Sequence, residues 1–207
     1  MKHGVLTVLG FYLVEQHSEL LAKCLQLLPA FRQEQVARYQ HELARRNGIV
    51  SYLLLKRGLE EHFDLLESVE FTYNTHGKPY LKNHPQVFFN ISHCKHGVVC
   101  ALADFEIGVD IQDVRAYDEA LARKVCSASE LVELMGTGNP DLLFCRMWAA
   151  RESHAKAQGI GVIQILQHEI PRSNTIQWDF DGYCLALSGD RADMSPVIIS
   201  LQTIDLI

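Results

Sequence analysis

The stretch "FFNISHCKHGVVCALADFEIGVDIQ", residues 88 to 112, decides how this chain is read. Its apolar runs have strand length, and the turn formers "SHCKHG" and "ADFE" divide them into strands near 86–91, 97–103 and 107–112. Three short strands in succession predict an antiparallel meander. Polar groups interrupt them: Asn90, Ser92 and His93 close the first strand, and Asp110 stands near the end of the third. A carboxylate among apolar strand residues belongs at a strand end that faces an opening. Side chains alternate along a strand, so Gln112 points the same way.

Upstream, "MKHGVLTVLGFYLVEQ" pairs a lysine with a short apolar run, as a signal peptide would. Glu15, Gln16 and His17 stand where a small-residue cleavage site should be, so the segment reads as a first strand. "SELLAKCLQLLP" is a short helix with Ser18 as N-cap and Pro29 as its stop. Apolar positions 43, 49, 50, 53, 54 and 59 predict a long amphipathic helix from Glu42 to Phe63, with Arg38, Arg45 and Arg46 clustered near its start. "VEFTYNTHGKPYL" is strand, turn and strand entry.

Downstream, "YDEALARKVCSASELVELMG" gives two helical pieces, the second opened by a Ser127/Glu130 capping box. "NPDLLFCRMWAARESHAKAQG" is a long helix with Asn139 at N-cap, Pro140 at N1 and Gly159 at its far end. "TIQWDF", "YCLALSG" and "VIISLQTI" are three further strands. The expected fold is α+β, in two similar halves, each a small antiparallel sheet packed against a long helix. The halves divide at 1–104 and 105–207.

Bulk properties narrow the function. The 207 residues are 48% hydrophobic and 21% charged, with a net charge of −6. That balance is wrong for a nucleic-acid binder, which carries a basic face. No run approaches the ~20 apolar residues of a membrane span. Six scattered cysteines without a CxxC pair read as reduced cytoplasmic thiols.

Trp148, Glu152 and Lys156 recur every four residues and share a helix face. Alone, Glu152 and Lys156 make an ordinary surface pair worth roughly 0.2–0.5 kcal/mol. Together with Asp110, Glu152 gives one carboxylate from a strand and one from a helix, which can hold a hard cation such as Mg²⁺ through oxygen. His93, Cys94, His96 and Cys100 offer zinc-type donors. Their spacing does not match a closed structural site, and adjacent His93 and Cys94 point to opposite faces of a strand.

In order and spacing, "GKP", "FNISH", "GVDI" and "WAARESHAKAQGIG" resemble the 4'-phosphopantetheinyl transferases, in their larger single-chain type with two pseudo-repeated halves. The resemblance runs from Gly77 to Gly161. It implies transfer of the phosphopantetheine arm of coenzyme A to a serine of an apo acyl or peptidyl carrier protein, releasing adenosine 3',5'-bisphosphate. On this likeness Asp110 and Glu152 match the Mg²⁺ ligands, with Gln112 two residues on, and Lys156 matches the lysine near the pyrophosphate. Glu152, directly or through a water, would take the serine proton, with Lys156 stabilising charge. Lys78, Pro79, Asn90, Ser92 and His93 match the CoA-binding segments. Arg45 and Arg46 both lie near the place of an arginine that contacts CoA phosphate, and Arg46 is taken as the candidate.

Two positions depart from the family pattern. Gln112 stands where a glutamate is frequent, which should weaken metal binding or leave the place to water. Arg151 stands where a lysine precedes the helix glutamate. The resemblance also implies a monomer. Carrier proteins are typically acidic and this chain is −6 overall, so a local basic and apolar docking patch is expected in the second half, including Arg146, Arg151 and the residues just after Lys156. Two other classes are a non-catalytic CoA- or carrier-binding protein on the same fold, and a CoA-dependent acyltransferase built on Ser92 and His93.

Overall fold

Turns and caps fall where proline, glycine and capping residues place them. The computed structural model describes residues 8–13, 18–166, 168, 170, 172–191 and 194–201. The first half runs through β1 (Val8–Leu13), α1 (Ser18–Gln26), α2 (Ala30–Ala37) and α3 (Glu42–Phe63). It continues with β2 (Phe71–Tyr73), β3 (Pro79–Leu81), β4 (Phe88–His93) and β5 (Gly97–Ala103). The second half holds β6 (Ile107–Asp113), α4 (Glu119–Val125), α5 (Ala128–Gly136) and α6 (Pro140–Gln158). It ends with β7 (Thr175–Phe180), β8 (Tyr183–Gly189) and β9 (Val197–Leu201). The class is α+β, with small sheets packed on helices, as the sequence predicts.

The long helix α3 has the predicted bounds, and its buried face carries Val50, Leu54, Leu55 and Leu59. Ser127 and Glu130 form the reciprocal capping box of α5. Asn139 Oδ1 accepts from the Leu142 N–H at the start of α6, and Gly159, with φ 65°, ends it in the left-handed conformation that glycine enters without a Cβ penalty. The helix α2 was not predicted: Pro29 halts the preceding segment and also serves as the N-cap of the next helix. The Ser18 side chain, residues 1–7 and residues 202–204 of the predicted last strand lie outside the described residues.

The predicted meander does not form. β4 and β5 pair as an antiparallel hairpin, but the other edge of β5 is taken by β1. The sheet order is β4-β5-β1-β9, with β9 parallel to β1. After "ADFE" the chain leaves this sheet, and β6 pairs with β8, itself flanked by β7. The cause is the two-sided apolar character of β5. Val98, Cys100 and Leu102 pack with the α3 side, while Val99, Ala101 and Ala103 pack with Ile107, Val109 and Ile111 of β6. Stacking β6 over that second face buries it, whereas edge pairing would leave it in water.

The helix α6 lies unusually close to β6 and β8. Cys145 and Ala149 pack on Cys184 and Ala186 of β8. A Cβ built on Gly108 would stand 2.0 Å from the Ser153 carbonyl oxygen and 2.3 Å from the Ala157 nitrogen. Small side chains spaced by four on the helix, facing a glycine on the strand, let two backbones touch. That approach brings Glu152 and Lys156 to the level of Asp110.

Candidate active site

Alternation along β4 divides the polar cluster between two walls. Asn90 and Ser92 are buried and face β6: Asn90 Oδ1 accepts from the Val109 N–H at 2.9 Å, and Ser92 Oγ donates to Asp110 Oδ1 at 2.8 Å. Asn90 thereby satisfies an amide on the edge of β6 that a meander partner would have taken. Phe89, Ile91 and His93 face the other way and line a cavity of about 420 Å³ under α2 and α3. Desolvation at this wall, then Lys156's charge, push His93 below the usual histidine range, against its backbone hydrogen bond and Asp110.

Asp110 is 2% exposed. Lys156 Nζ lies 2.6 Å from its Oδ1, 3.1 Å from Ser92 Oγ and 3.3 Å from the Val109 carbonyl oxygen. The second oxygen, Oδ2, is buried and has no hydrogen-bond partner among the described residues. One turn before Lys156, a Glu152 oxygen is 3.8 Å from its ammonium. Burial, then Asp110's charge, hold the Glu152 carboxyl above the usual carboxylate range, while Lys156 and a Trp148 hydrogen bond oppose the shift. Two carboxyl groups thus face one ammonium, with a buried oxygen unused. A hard divalent cation fits this donor set, because it supplies the missing charge and takes oxygen ligands. Gln112 is half-buried, two residues along the same face of β6.

The turn "GKP" ties the halves together. Lys78 Nζ donates to Glu106 Oε2 at 2.5 Å and to the carbonyl oxygens of Ile107 and Ala157 at 3.3 and 3.0 Å. An ammonium has three protons, so its donors are all engaged across the cleft. Burial lowers its pKa, against the pull of Glu106. Asn74 adds a bond from its amide to the Gly159 carbonyl oxygen at 2.7 Å. A smaller cavity of about 220 Å³, lined by Lys78, Pro79, Asn90 and Lys156, lies between the halves. Gly77 and Pro79 border both cavities.

The basic cluster separates by contact. Arg45 is exposed and donates to the Tyr39 carbonyl oxygen at 2.7 Å. The Arg46 Nε is buried without a hydrogen-bond partner among the described residues, as is that of Arg32. Arg32 lies on α2, lines the larger cavity and stands over the Tyr52 ring at 5.3 Å. Sequence reasoning missed it because it missed α2; Pro29, a strong helix opener, was the available signal.

Arg151 does not belong to a docking patch. It is 0% exposed, forms an ion pair with Glu130 and donates to the His168 carbonyl oxygen at 3.0 Å. Arg146 is at the surface, paired with Asp179. His93 and Cys100 are directed away from Cys94 and His96: the first lines the larger cavity and the second lies in the core beneath α3.

Residues 106–193 match the family described as the 4'-phosphopantetheinyl transferase superfamily. Residues 15–105 match the family described as 4'-phosphopantetheinyl transferase, N-terminal. The chain is 27% identical over 128 residues to 4'-phosphopantetheinyl transferase psf-1 of Bacillus pumilus, covering 60% of this chain and 55% of that protein. It is 25% identical over 143 residues to 4'-phosphopantetheinyl transferase ffp of Bacillus subtilis, covering 68% and 64% respectively. For 4'-phosphopantetheinyl transferase Sfp of Bacillus subtilis strain 168 the identity is 25% over 134 residues, covering 63% and 60%. The chain therefore spans less than two thirds of each of these relatives. With the two families meeting at residues 105 and 106 and covering both halves, the chain belongs to the 4'-phosphopantetheinyl transferase superfamily.

Proposed function

We propose that the protein is a Mg²⁺-dependent 4'-phosphopantetheinyl transferase that moves the phosphopantetheine arm of coenzyme A onto a serine of an apo acyl or peptidyl carrier protein. The observation that carries this reading is the unpartnered, buried Asp110 Oδ2 beside Glu152, in a cleft with walls from both halves. Family membership supports it. The cavity bordered by Arg32 and His93 has the basic, partly apolar lining that a phosphorylated nucleotide with a pantetheine arm requires.

In this reading the serine oxygen forms a bond to the β-phosphorus of coenzyme A, and the bond from that phosphorus to the bridging oxygen breaks. Adenosine 3',5'-bisphosphate leaves. Asp110 and Glu152 would hold Mg²⁺, which supplies charge neutralisation and a template for the pyrophosphate. Lys156, already anchored on Asp110 and Ser92, places its charge where phosphoryl oxygens gain negative charge. Glu152 receives the serine proton, directly or through a water. Arg32, Arg46 and His93 hold the nucleotide phosphates. Pro79 and the engaged Lys78 keep the turn between the two cavities rigid. One chain supplies every wall, which fits a monomer, and the six free cysteines fit a reducing cytoplasm. No helix among the described residues is long and apolar enough to cross a membrane.

The test is incubation with coenzyme A, Mg²⁺ and an apo carrier, followed by mass spectrometry of the carrier. Gain of the whole phosphopantetheine arm is expected. Gain of an acyl group alone makes the protein an acyltransferase, and no gain makes it a binding module. Asp110→Asn and Glu152→Gln should each lower kcat by more than about tenfold, a barrier rise above about 1.4 kcal/mol, with unchanged circular dichroism. Retained activity in either places the metal elsewhere.

A further inference from the structure

The turn after His93 carries a second set of donors, unconnected with the transfer chemistry. Cys94 and His96 stand two apart in "CKHG", closed by a hydrogen bond from the Cys94 N–H to the Gly97 carbonyl oxygen at 2.9 Å. Asp113, the last residue of β6, comes up beneath them from the other half. One ligand atom from each of Cys94, His96 and Asp113 lies within 4.8 Å of the others. Sequence spacing could not show this, because the third donor is supplied by a strand of the second sheet.

The three groups are tightly organised. His96 Nδ1 is 2.7 Å from Asp113 Oδ1, and the Cys94 sulfur lies within 4.8 Å of the same carboxylate. The His96 ring stacks on Tyr183 at 5.2 Å between centroids, which fixes the direction of Nδ1. Its Nε2 borders Gly182, at the strand turn before Tyr183. Asp113 is 6% exposed, whereas Cys94 and His96 are partly open to solvent. Arg115 reaches Asp113 only at 3.9 Å, from a side chain 77% exposed.

We propose that Cys94, His96 and Asp113 form a binding site for a divalent transition-metal ion of the zinc class. Sulfur, nitrogen and carboxylate oxygen are the donor types of tetrahedral zinc, and three protein ligands leave the fourth position to water. Thiolate and imidazole select such ions over Mg²⁺, so the site is distinct in chemistry from the Asp110–Glu152 pair. In the metal-free form Asp113 accepts a hydrogen bond from the His96 ring and the Cys94 thiol keeps its proton. Metal binding changes both: the Cys94 thiol releases its proton to solvent, and the His96 proton moves to Nε2. The ion would then clasp the β4–β5 turn of the first half to the end of β6 in the second, next to the strand that carries Ser92 and His93.

Reduced, chelator-treated protein titrated with Co²⁺ tests this without coenzyme A or carrier, so its outcome is independent of the transfer assay. The expected result is one Co²⁺ per chain, with a thiolate-to-cobalt charge-transfer band and a raised melting temperature. Cys94→Ser should remove the band. His96→Gln, at a partly exposed position that tolerates the change, and Asp113→Asn should each weaken binding by about tenfold or more. No band in excess Co²⁺, or a band that persists undiminished in Cys94→Ser, overturns the site. Unchanged affinity in His96→Gln overturns the assignment of the ligands.

Discussion

Gly108 of β6 and Ser153 of α6 meet backbone to backbone: a methyl group on the glycine would lie 2.0 Å from the serine carbonyl oxygen. The obstacle is main chain on both sides, so no rotamer change relieves it. Gly108→Ala should push α6 off the sheet and with it Glu152 and Lys156. A stability loss of about 1–3 kcal/mol or more is expected from overpacking, with transfer activity falling further than the melting temperature alone accounts for. Denaturant unfolding and initial rates on the same sample check this, and wild-type values for both would mean that the helix has room to shift.

Arg151 is a structural cation. Arg151→Ala leaves Glu130 without its buried partner, and breaking such a pair costs about 3–5 kcal/mol. Urea unfolding should show a loss of that order, with the KM for the carrier unchanged where the variant is still folded. A normal stability paired with a raised carrier KM would return Arg151 to the docking surface.

The Gln112 amide can offer an oxygen to a cation but brings no charge. Gln112→Glu nearly conserves shape and adds one negative charge on the face of β6 shared with Asp110. The variant should reach half-maximal activity at lower Mg²⁺ than the native protein. Titration of Mg²⁺ against initial rate decides it; an equal or higher requirement would put residue 112 outside the metal shell.

His93 is held below its ordinary pKa of 6.5, first by desolvation. It is therefore neutral at pH 7 and gains its proton only as pH falls below that ordinary value. The added positive charge should strengthen phosphate binding, so the KM for coenzyme A should fall as pH drops through this lowered pKa. In His93→Gln that part of the pH dependence should vanish, with little change in the carrier KM. A native profile indistinguishable from the variant's would remove His93 from the phosphate site.

Local signals carried most of the element boundaries. The helices α3 and α6 and the capping box of α5 follow from periodicity, Asn139, Ser127 and Gly159, all of which act within a few residues. The four-residue spacing of Trp148, Glu152 and Lys156 put them on one face, and the fold turns that face toward Asp110. Tertiary choices were not legible. Nothing within "GVVCALADFEIGVDIQ" says that β6 will pair with Tyr183–Gly189 and not with β5, because both options satisfy the same local pattern. Nor does "AFRQEQVA" announce a helix strongly: its one buried apolar residue is Val36, so Arg32 was lost with it. The Asp113 partnership with Cys94 and His96 is of the same kind, a meeting made only by the stacking of two sheets.

The parallel pairing of β9 with β1 has a consequence for biosynthesis. Val8–Leu13 leaves the ribosome well before Val197–Leu201, with every other element of the described fold between them. One edge of β1 can close on β5 early, but the other has no partner until β9 has emerged. During that interval the nascent protein presents a bare strand edge, the feature that templates aggregation. The contact that removes it joins the first and last of the described strands, a large sequence separation that slows its formation. Synthesis of the second half thus sets the moment at which the first is finished, and β9 acts as the latch that ends the exposed phase.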